Sequence, residues 1–553
     1  MATPSQIPEE SPVPSSSSHR KPNILRLPVE IVKEIYTYLS NRDIKNVRLT
    51  CSFFSGTATL RLDRVFLSAN PRNVEVFQAV ANNEVYRARV TEIIWDDALL
   101  VDVREGPNLP DGVYDNDDYY NDDLYDELDE EPSPWPKWYR KPCKDNLDEM
   151  KSFKGADVER PDHVARAQQV AALLPMEEAW AHYQELLQQQ RAVLGSRAHI
   201  RALEDAIGSF PALRRVTVTC AAHGRLFNPL YETPMIRAFP RGFNYPIPRG
   251  WPVTGLSQPD CPGWDDDDGG HWQGFRAVVR VLARNRDLGR VTEMRVDANW
   301  LETGLNSSLF EQSCDGLTDF QTVLARPNFK HLHLDLLVDP SAREADMYRR
   351  GLLKQALAGA AGGRGLEYLS FRTNTVDSDK WYVPLGTIFP ESSLSRLCHF
   401  GLSRFFVKQD DLLAFLAALP PSVRTIELGL LGFMEGCGSH RTLLRQIRDT
   451  LGWKDRDPRP KLSIVMEGHW QVPGRLIWIE AEVDAFLYHG AGNPFGEGPE
   501  AAWENQARPG VGVVKDAFEP EHERPHAERW TLAELGYLKK GRGGLPPRQR
   551  PGA

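Results

Sequence analysis

Apolar residues recur along the chain in a six-residue pattern, apolar-x-x-apolar-x-apolar, whose last three positions alternate in side-chain character. Such alternation is typical of a strand with one buried face. The pattern occurs at Leu62-Val65-Leu67, Val90-Ile93-Trp95, Leu213-Val216-Val218, Val291-Met294-Val296, Phe329-Leu332-Leu334, Leu366-Leu369-Phe371, Leu397-Phe400-Leu402 and Val423-Ile426-Leu428. Stretches with helical spacing lie between several of these strands, at 71–86, 275–287, 342–360, 410–419 and 440–452. The chain is therefore predicted to be an α/β protein in which strands and helices alternate.

A different pattern occupies the block LPVEIVKEIYTYLSNRDIKNVRLTCSFF at residues 27–54, which is dense in apolar residues. Pro28 suits the start of a helix, because its missing N–H would have no partner there. Ile31, Ile35 and Leu39 follow at intervals of four, which places them on one helix face. An amphipathic helix of about three turns is predicted.

Two more short helices are predicted to follow. Ser40 and Asp43 have the spacing of a capping box, with Asp in place of the usual Glu, and Thr50 is predicted to cap the third helix. Three short helices cannot bury much core by themselves. Part of this apolar surface is therefore expected to contact another protein.

The order of residues in this block resembles the F-box, from Leu-Pro-x-Glu-Ile at its start to Arg-Leu-x-Cys-x-x-Phe at its end. The resemblance implies a surface that binds a Skp-type adaptor, which links F-box proteins to the cullin and RING core of a ubiquitin ligase. Carried over by position, the adaptor contacts are Leu27, Pro28, Ile31, Ile35, Leu39, Leu49, Cys51 and Phe54. Thr50 departs from the family, which more often has Val there. The alternative is a helical cap on the next domain.

The strand pattern downstream resembles the degenerate leucine-rich repeats of fungal F-box proteins. The intervals between successive patterns run from 26 to 123 residues, whereas regular repeats of that class have about 20–29 residues. A doubly wound α/β domain is the competing interpretation. Strand order distinguishes the two, since a solenoid requires neighbours in strict chain order.

The predicted organisation has four parts. A disordered tail at 1–22 precedes the three-helix F-box at 23–61, an irregular leucine-rich-repeat-like solenoid spans 62–485, and a mostly disordered tail covers 490–553. Two insertions interrupt the solenoid: an acidic, disordered one at about 104–160 and a loop rich in Pro and aromatic residues at about 226–275. The aromatic density of that loop indicates that it packs on the solenoid edge or on a target.

In a solenoid, the side chains between the apolar strand positions line one continuous sheet face. They carry charges of both signs with His and Tyr, which suits a protein or peptide partner. A solvated face without a partner is the alternative. The residues predicted to bind a target are Asp96, Arg215, Glu293, Arg295, His331, His333, Asp335, Tyr368 and Arg372.

The composition restricts the classes of partner that the protein is expected to bind. The net charge of −10 arises from an acidic run, since residues 111–131 contain eleven Asp and Glu and no Lys or Arg. The remainder is nearly neutral, which argues against a nucleic-acid-binding surface. No apolar run approaches the roughly 20 residues of a membrane span, and there is no signal-peptide core, so a cytoplasmic or nuclear protein is expected. Seven scattered cysteines indicate reduced thiols.

No motif indicates catalysis or a cofactor. HERPH at 522–526 has the spelling of a zinc-protease motif, but Pro525 would disrupt the helix that the motif needs. His331, His333 and Asp335 share a strand face, and hydrogen-bonding side chains are favoured there over a metal site. The expected function is a non-catalytic substrate receptor of a Skp-cullin-F-box ubiquitin ligase. A binding scaffold that does not promote ubiquitination is the alternative.

Overall fold

The computed structural model describes residues 24–101, 133–154, 157–252, 263–264, 270–338, 343–360, 365–374, 382–468, 474–497 and 504–539. The chain divides into two compact units, Met1–Leu62 and Asp63–Ala553. The division falls one residue beyond the predicted end of the F-box at 61. The acidic run at 111–131 lies outside the described residues, as do the predicted N-terminal tail at 1–22 and the last part of the predicted C-terminal tail, 540–553.

The helices alternate with strands through most of the second unit. The α-helices are α1 (Val29–Thr37), α2 (Asn41–Arg48), α3 (Ser52–Thr57), α4 (Pro71–Ala81), α5 (Glu84–Arg87), α6 (Lys137–Lys154), α7 (Pro161–Ala171), α8 (Met176–Ser196), α9 (Ala198–Ala206), α10 (Gln273–Arg284), α11 (Asp315–Leu324), α12 (Arg343–Arg350), α13 (Leu352–Gly359), α14 (Leu385–Ile388), α15 (Gln409–Ala418), α16 (His440–Thr450), α17 (Ala481–Tyr488) and α18 (Arg529–Glu534). Each helical stretch predicted from residue spacing is confirmed.

The strands are β1 (Arg64–Leu67), β2 (Glu92–Asp96), β3 (Arg215–Thr219), β4 (Glu293–Val296), β5 (Leu305–Asn306), β6 (His331–Leu337), β7 (Tyr368–Arg372), β8 (His399–Ser403), β9 (Phe406–Val407), β10 (Thr425–Gly429), β11 (Gly432–Phe433), β12 (Lys461–Glu467), β13 (Arg475–Ile479), β14 (Val513–Asp516) and β15 (Glu519–Pro525). The last three residues of every recurring apolar pattern lie in a strand. The prediction of a mixed α/β protein is confirmed.

The first unit is built from α1, α2 and α3 around a small core of Val32, Tyr36, Ile44 and Ala58. Ser40 caps α2 as predicted, since its side chain accepts a hydrogen bond from the Asp43 N–H while the Asp43 carboxylate accepts one from the Ser40 N–H. The third helix is present as predicted, but the prediction that Thr50 caps it is wrong.

Cys51, without a side-chain hydrogen bond, is the residue that precedes α3. The Thr50 hydroxyl instead donates to the Val47 carbonyl, 2.7 Å away, at the end of α2. A threonine at this point can satisfy either the helix before it or the helix after it, and local spacing does not distinguish the two.

One sheet of thirteen strands organises the second unit. Its order is β1-β2-β3-β4-β6-β7-β8-β10-β12-β13-β14-β15, with β5 paired to β6, and it does not close into a barrel. All pairs from β1 to β12 are parallel, and those from β12 to β15 are antiparallel. Neighbours follow chain order without the reversal that defines a doubly wound sheet, so that alternative is excluded for the described strands.

The recurring apolar residues form the core behind this sheet. From Val65 onward, every one of them is at most 3% exposed. They lie between the strands and the helices of the following segments, which is why the pattern can be detected in the sequence. Among the described helices, none combines the length and apolarity that a bilayer span requires.

The acidic insertion is not disordered throughout, which corrects the prediction for 104–160. Helix α6 covers Lys137–Lys154 and packs with α8 in a cluster of aromatic side chains. The Pro/aromatic loop joins the same cluster through Phe243 and Tyr245, whose rings stack 4.8 Å apart. The loop therefore packs on the insertion that contains α6, because aromatic area is stabilised by burial wherever a neighbour is available.

The C-terminal prediction is also corrected. Residues 513–525, expected to be disordered, form β14 and β15 at the end of the sheet, and α18 follows. Gly, Pro and charged residues dominate this segment, so its composition indicated a tail. Buried ion pairs described below supply the stabilisation that apolar residues do not.

Candidate functional site

The first unit presents an exposed apolar surface. Of the residues predicted to contact an adaptor, Leu27, Pro28, Ile31 and Leu49 are exposed, and Ile35, Leu39, Cys51 and Phe54 are half-buried. None is buried in the core. Ile31 is 50% exposed and Leu49 is 85% exposed, although both are large aliphatic side chains.

The short helices explain this exposure. In α1 the buried side chains are Val32 and Tyr36, so the Ile31 and Ile35 face points away from the unit's core. Seven of the thirteen strongly exposed large apolar side chains in the described chain lie in this unit: Ile24, Leu25, Leu27, Ile31, Tyr38, Leu49 and Phe53. Such a concentration in so short a segment is typical of a protein-binding surface.

In the second unit, parallel pairing aligns side chains across the sheet face. The outer row, defined by the first residues of the paired strands, contains Arg64, Glu92, Arg215, Glu293, His331, Tyr368, His399, Thr425 and Lys461. Most of these residues are exposed or half-buried.

Oppositely charged side chains form ion pairs along the outer row. Arg64 lies 2.9 Å from Glu92, and Arg215 lies 2.6 Å from Glu293. A hydrogen bond from His331, and then one from Arg215 together with its charge, lower the pKa of Glu293 to about 2. The row thus presents fixed charges of both signs.

Aromatic contacts continue the row. The rings of Tyr368 and His399 stack with centroids 4.2 Å apart, and His399 Nδ1 lies 2.7 Å from the hydroxyl oxygen of Thr425. Burial lowers the pKa of His399 to about 4. This part of the face is neutral and aromatic near physiological pH.

A second set of polar side chains lies deeper on the same face. This central polar cluster consists of Arg295, Asp297, His333, Asp335, Arg372 and Glu427. Arg295 Nη2 lies 2.7 Å from Asp297 Oδ2, and Arg372 Nη1 lies 3.1 Å from Asp335 Oδ2. His333 lies between the two carboxylates.

At Asp297, the positive charges nearby affect the pKa more strongly than burial does. Burial alone would raise the pKa of Asp297, but the charges of His333, Arg295 and Arg372 hold it well below its usual range. At Glu427 burial dominates and raises the pKa. Asp297 is therefore an anion at any physiological pH.

The inner part of the face is buried, so four of the residues predicted to bind a target are not exposed. Asp96 and Asp335 are each 1% exposed, Arg372 is 4% exposed and His333 is 5% exposed. Trp300, in the loop after β4, lies over the Arg372 guanidinium at 3.8 Å. A target can reach the outer row, but it cannot reach these four side chains in this conformation.

The C-terminal strands hold loops over this end of the sheet. The Arg225 guanidinium, after β3, donates to Asp516 of β14 at 2.8 Å, and the Asn299 side-chain amide donates to the Ala517 carbonyl at 3.1 Å. Arg166 of α7 donates to Glu519 of β15 at 2.7 Å. We call Asp516, Ala517 and Glu519 with these partners the C-terminal clasp.

The sequence identified most of the polar face. Glu293, Arg295, His331, His333, Asp335, Tyr368 and Arg372 lie together on β4, β6 and β7, with Arg215 beside them on β3. Asp96 is separate, on β2, beneath the loop that contains His223. Sequence reasoning missed the covering role of Trp300, because a tryptophan in an irregular loop has no periodic signal.

The zinc-protease spelling at 522–526 lies mostly in β15, so it does not form the required helix. The prediction that this stretch does not form a helix is confirmed. No protein-family model matches the chain, and no curated protein matches it either.

Proposed function

We propose that this protein is the substrate-recognition subunit of a Skp-cullin-F-box ubiquitin ligase. The observation that carries the proposal is the apolar surface of the first unit, because none of the eight residues predicted to contact the adaptor is fully buried, although Leu39 and Phe54 also pack against the small core. Burying one exposed isoleucine in an interface contributes on the order of 2 kcal/mol. Several such side chains together provide enough area for a stable adaptor contact.

The sheet supports the second half of the proposal. Parallel strands in chain order with helices between them are what a leucine-rich-repeat-like solenoid produces. The outer row then serves as the target-binding surface. Its mixed charges and its Tyr368–His399 stack suit a protein segment rather than a phosphate backbone.

The receptor needs no catalytic residue of its own. Holding a target and the ligase core on one chain raises the effective concentration of target lysines at the site of ubiquitin transfer. Recognition thus resides in the second unit and recruitment in the first.

Affinity purification after proteasome inhibition tests this function. The intact chain should co-purify adaptor, cullin and a ubiquitinated target, and a chain without residues 24–61 should retain the target and lose the other two. A Tyr368→Ala chain should retain the adaptor and the cullin and lose the target, since the substitution removes the aromatic stack from the outer row. A target that is captured equally by wild type and Tyr368→Ala would contradict the proposed surface.

The alternative is a scaffold that binds the adaptor without promoting ubiquitination. The same purification separates the two functions. Adaptor without cullin, and a target without ubiquitin, would favour the scaffold.

A further inference from the structure

Three side chains of the central polar cluster bring ligand atoms together on neighbouring strands. His333 Nε2, on β6, lies 3.1 Å from Asp335 Oδ1 and 3.7 Å from Asp297 Oδ1, just past β4. All three ligand atoms lie within 4.8 Å of one another. A tetrahedral zinc ion, with bonds of roughly 2.0–2.2 Å, separates its ligand atoms by about 3.4 Å. The spacing therefore fits a metal ion.

Two of the three residues offer buried atoms that lack a hydrogen-bond partner in the described part of the chain, whereas Asp297 Oδ1 also accepts a hydrogen bond from the Asn299 N–H at 2.8 Å. Neither ring nitrogen of His333 has a hydrogen-bond partner there, and neither does Asp335 Oδ1. Both residues are at least 95% buried. Leaving a buried polar atom unpaired costs about 1–3 kcal/mol, so a ligand in the gap would be strongly stabilising.

The opposite oxygens of the two carboxylates are already held. Asp297 Oδ2 accepts from Arg295, while Asp335 Oδ2 accepts from Arg372 and from the Ala298 N–H at 2.8 Å. These contacts fix both carboxylates so that their Oδ1 atoms face His333. Outer contacts of this kind orient metal ligands in proteins.

A second cluster with similar residues provides a contrast. Asp162, His163 and Glu519 also lie close together. There, however, Arg160 Nη2 lies 3.0 Å from His163 Nε2 and 3.6 Å from Glu519 Oε2. The Arg160 guanidinium already supplies positive charge between those ligand atoms. The guanidinium groups near His333 instead contact the Oδ2 atoms of Asp297 and Asp335, which face away from His333.

We propose that Asp297, His333 and Asp335 form a binding site for one zinc ion. One imidazole nitrogen with two carboxylate oxygens suits zinc better than magnesium, which prefers oxygen ligands alone. Arg295 and Arg372 already offset the charges of Asp297 and Asp335, and Glu427 is the third carboxyl of the cluster. The three ligands lie in the second unit, whereas the proposed adaptor contacts lie in the first.

The trio differs from the one considered in the sequence. His331 is not part of it, because its Nδ1 faces Glu293 at 3.7 Å and its ring lies beside Tyr368. Asp297 takes the place of His331. Parallel pairing of β4 with β6 aligns Arg295 with His333, so Asp297 and Asp335, two residues further along the chain, lie side by side. Only the strand register reveals this.

Calorimetric titration of the full-length, EDTA-treated chain with zinc chloride tests the site. The matched variants are His333→Gln and His331→Gln, which change the same residue type on the same strand face. We expect His333→Gln to bind one equivalent less than wild type, or to bind that equivalent about 100-fold more weakly. His331→Gln should match wild type, and magnesium chloride should give no saturable binding.

X-ray absorption at the zinc edge, measured on wild type with one equivalent of bound zinc, identifies the ligand atoms directly. It needs no variant. A shell of oxygen and nitrogen at about 2.0–2.2 Å with a single imidazole is expected. Sulfur ligands, two or more imidazoles, or equal zinc binding by His333→Gln and wild type would overturn the proposal. So would the absence of saturable zinc binding, which would leave an imidazolium between the carboxylates as the occupant.

Discussion

At the scale of single residues, the least expected feature is a buried carboxyl next to a buried histidine. Asp96 Oδ2 lies 3.8 Å from His223 Nε2, and both side chains are about 1% exposed. Burial raises the pKa of Asp96 to about 8 and lowers the pKa of His223 to about 3. Both groups are therefore neutral at pH 7, and folding favours their neutral forms.

These shifts predict how stability depends on pH. Asp96 keeps its proton in the folded chain up to about pH 8, while the unfolded chain loses it near 3.8, so this carboxyl lowers stability as pH rises between those values. His223 acts in the opposite direction, but only below 6.5. Asp97, which also has a raised pKa, adds to the effect of Asp96. Tyr245 and Arg249 also face this pair.

Asp96→Asn should flatten this dependence. Asparagine keeps the oxygen that accepts from the Ala98 N–H, and it does not ionise. Between pH 6.5 and 8, wild type should lose about 2 kcal/mol of unfolding free energy relative to the variant. Urea unfolding at several pH values measures this. Parallel pH profiles for the two chains would contradict the assignment.

At the scale of elements, the C-terminal clasp explains how a polar segment remains folded. Asp516 is 3% exposed and accepts hydrogen bonds from Arg225 at 2.8 Å and from Arg475 at 2.9 Å. Burial alone would raise its pKa, but Arg225 and Arg475 hold the pKa below its usual value. The carboxylate therefore stays charged and joins β14 to the loop after β3.

Asp516→Asn should destabilise the second unit by about 3–5 kcal/mol, because it removes the anion nearest to two buried guanidinium groups. Hydrogen exchange at 513–525 should speed up before exchange in the parallel strands does. Asp449→Asn is the matched control, since Asp449 pairs with Arg448 at 2.8 Å on an exposed helix face. Equal effects of the two substitutions would show that the clasp does not stabilise the sheet.

The elements differ in how far the sequence could predict them. Eight of the parallel strands were predicted because each has its own apolar triplet, and the Ser40 cap because its spacing is local. Strands β14 and β15 were not, because they are stabilised by Arg225 and Arg166, which are about 290 and 350 residues away in the chain. Contacts of that range leave no periodic signal.

The same limit applies to the polar face. Alternation along each strand correctly placed Arg295, His333 and Arg372 on one face. It did not show that Trp300 and the clasp cover that face, so four residues expected to meet a target are buried. The target-binding surface of the proposal is accordingly narrower than the sequence indicated, and it lies on the outer row.

At the scale of the whole molecule, the two units carry different kinds of surface. The first exposes large aliphatic side chains, and the second presents charges of both signs with aromatic rings. A receptor that joins a common machine to a particular target needs one surface of each kind. This division is the basis of the proposed function.

The most direct test of the central claim is calorimetric titration of the purified chain with a Skp-type adaptor. The test variant is Ile31→Asp with Ile35→Asp, which places one charge at an exposed position and one at a half-buried position of α1. The control is Val85→Asp in the second unit, where Val85 is 56% exposed, close to the 50% of Ile31.

We predict saturable one-to-one binding by wild type and by Val85→Asp, with a dissociation constant near or below about 1 μM. The double variant should bind at least about 100-fold more weakly, since each buried charge costs more than the apolar contact it replaces. Circular dichroism should show both variants folded. Undiminished adaptor binding by the double variant, or no binding by wild type, would contradict the account.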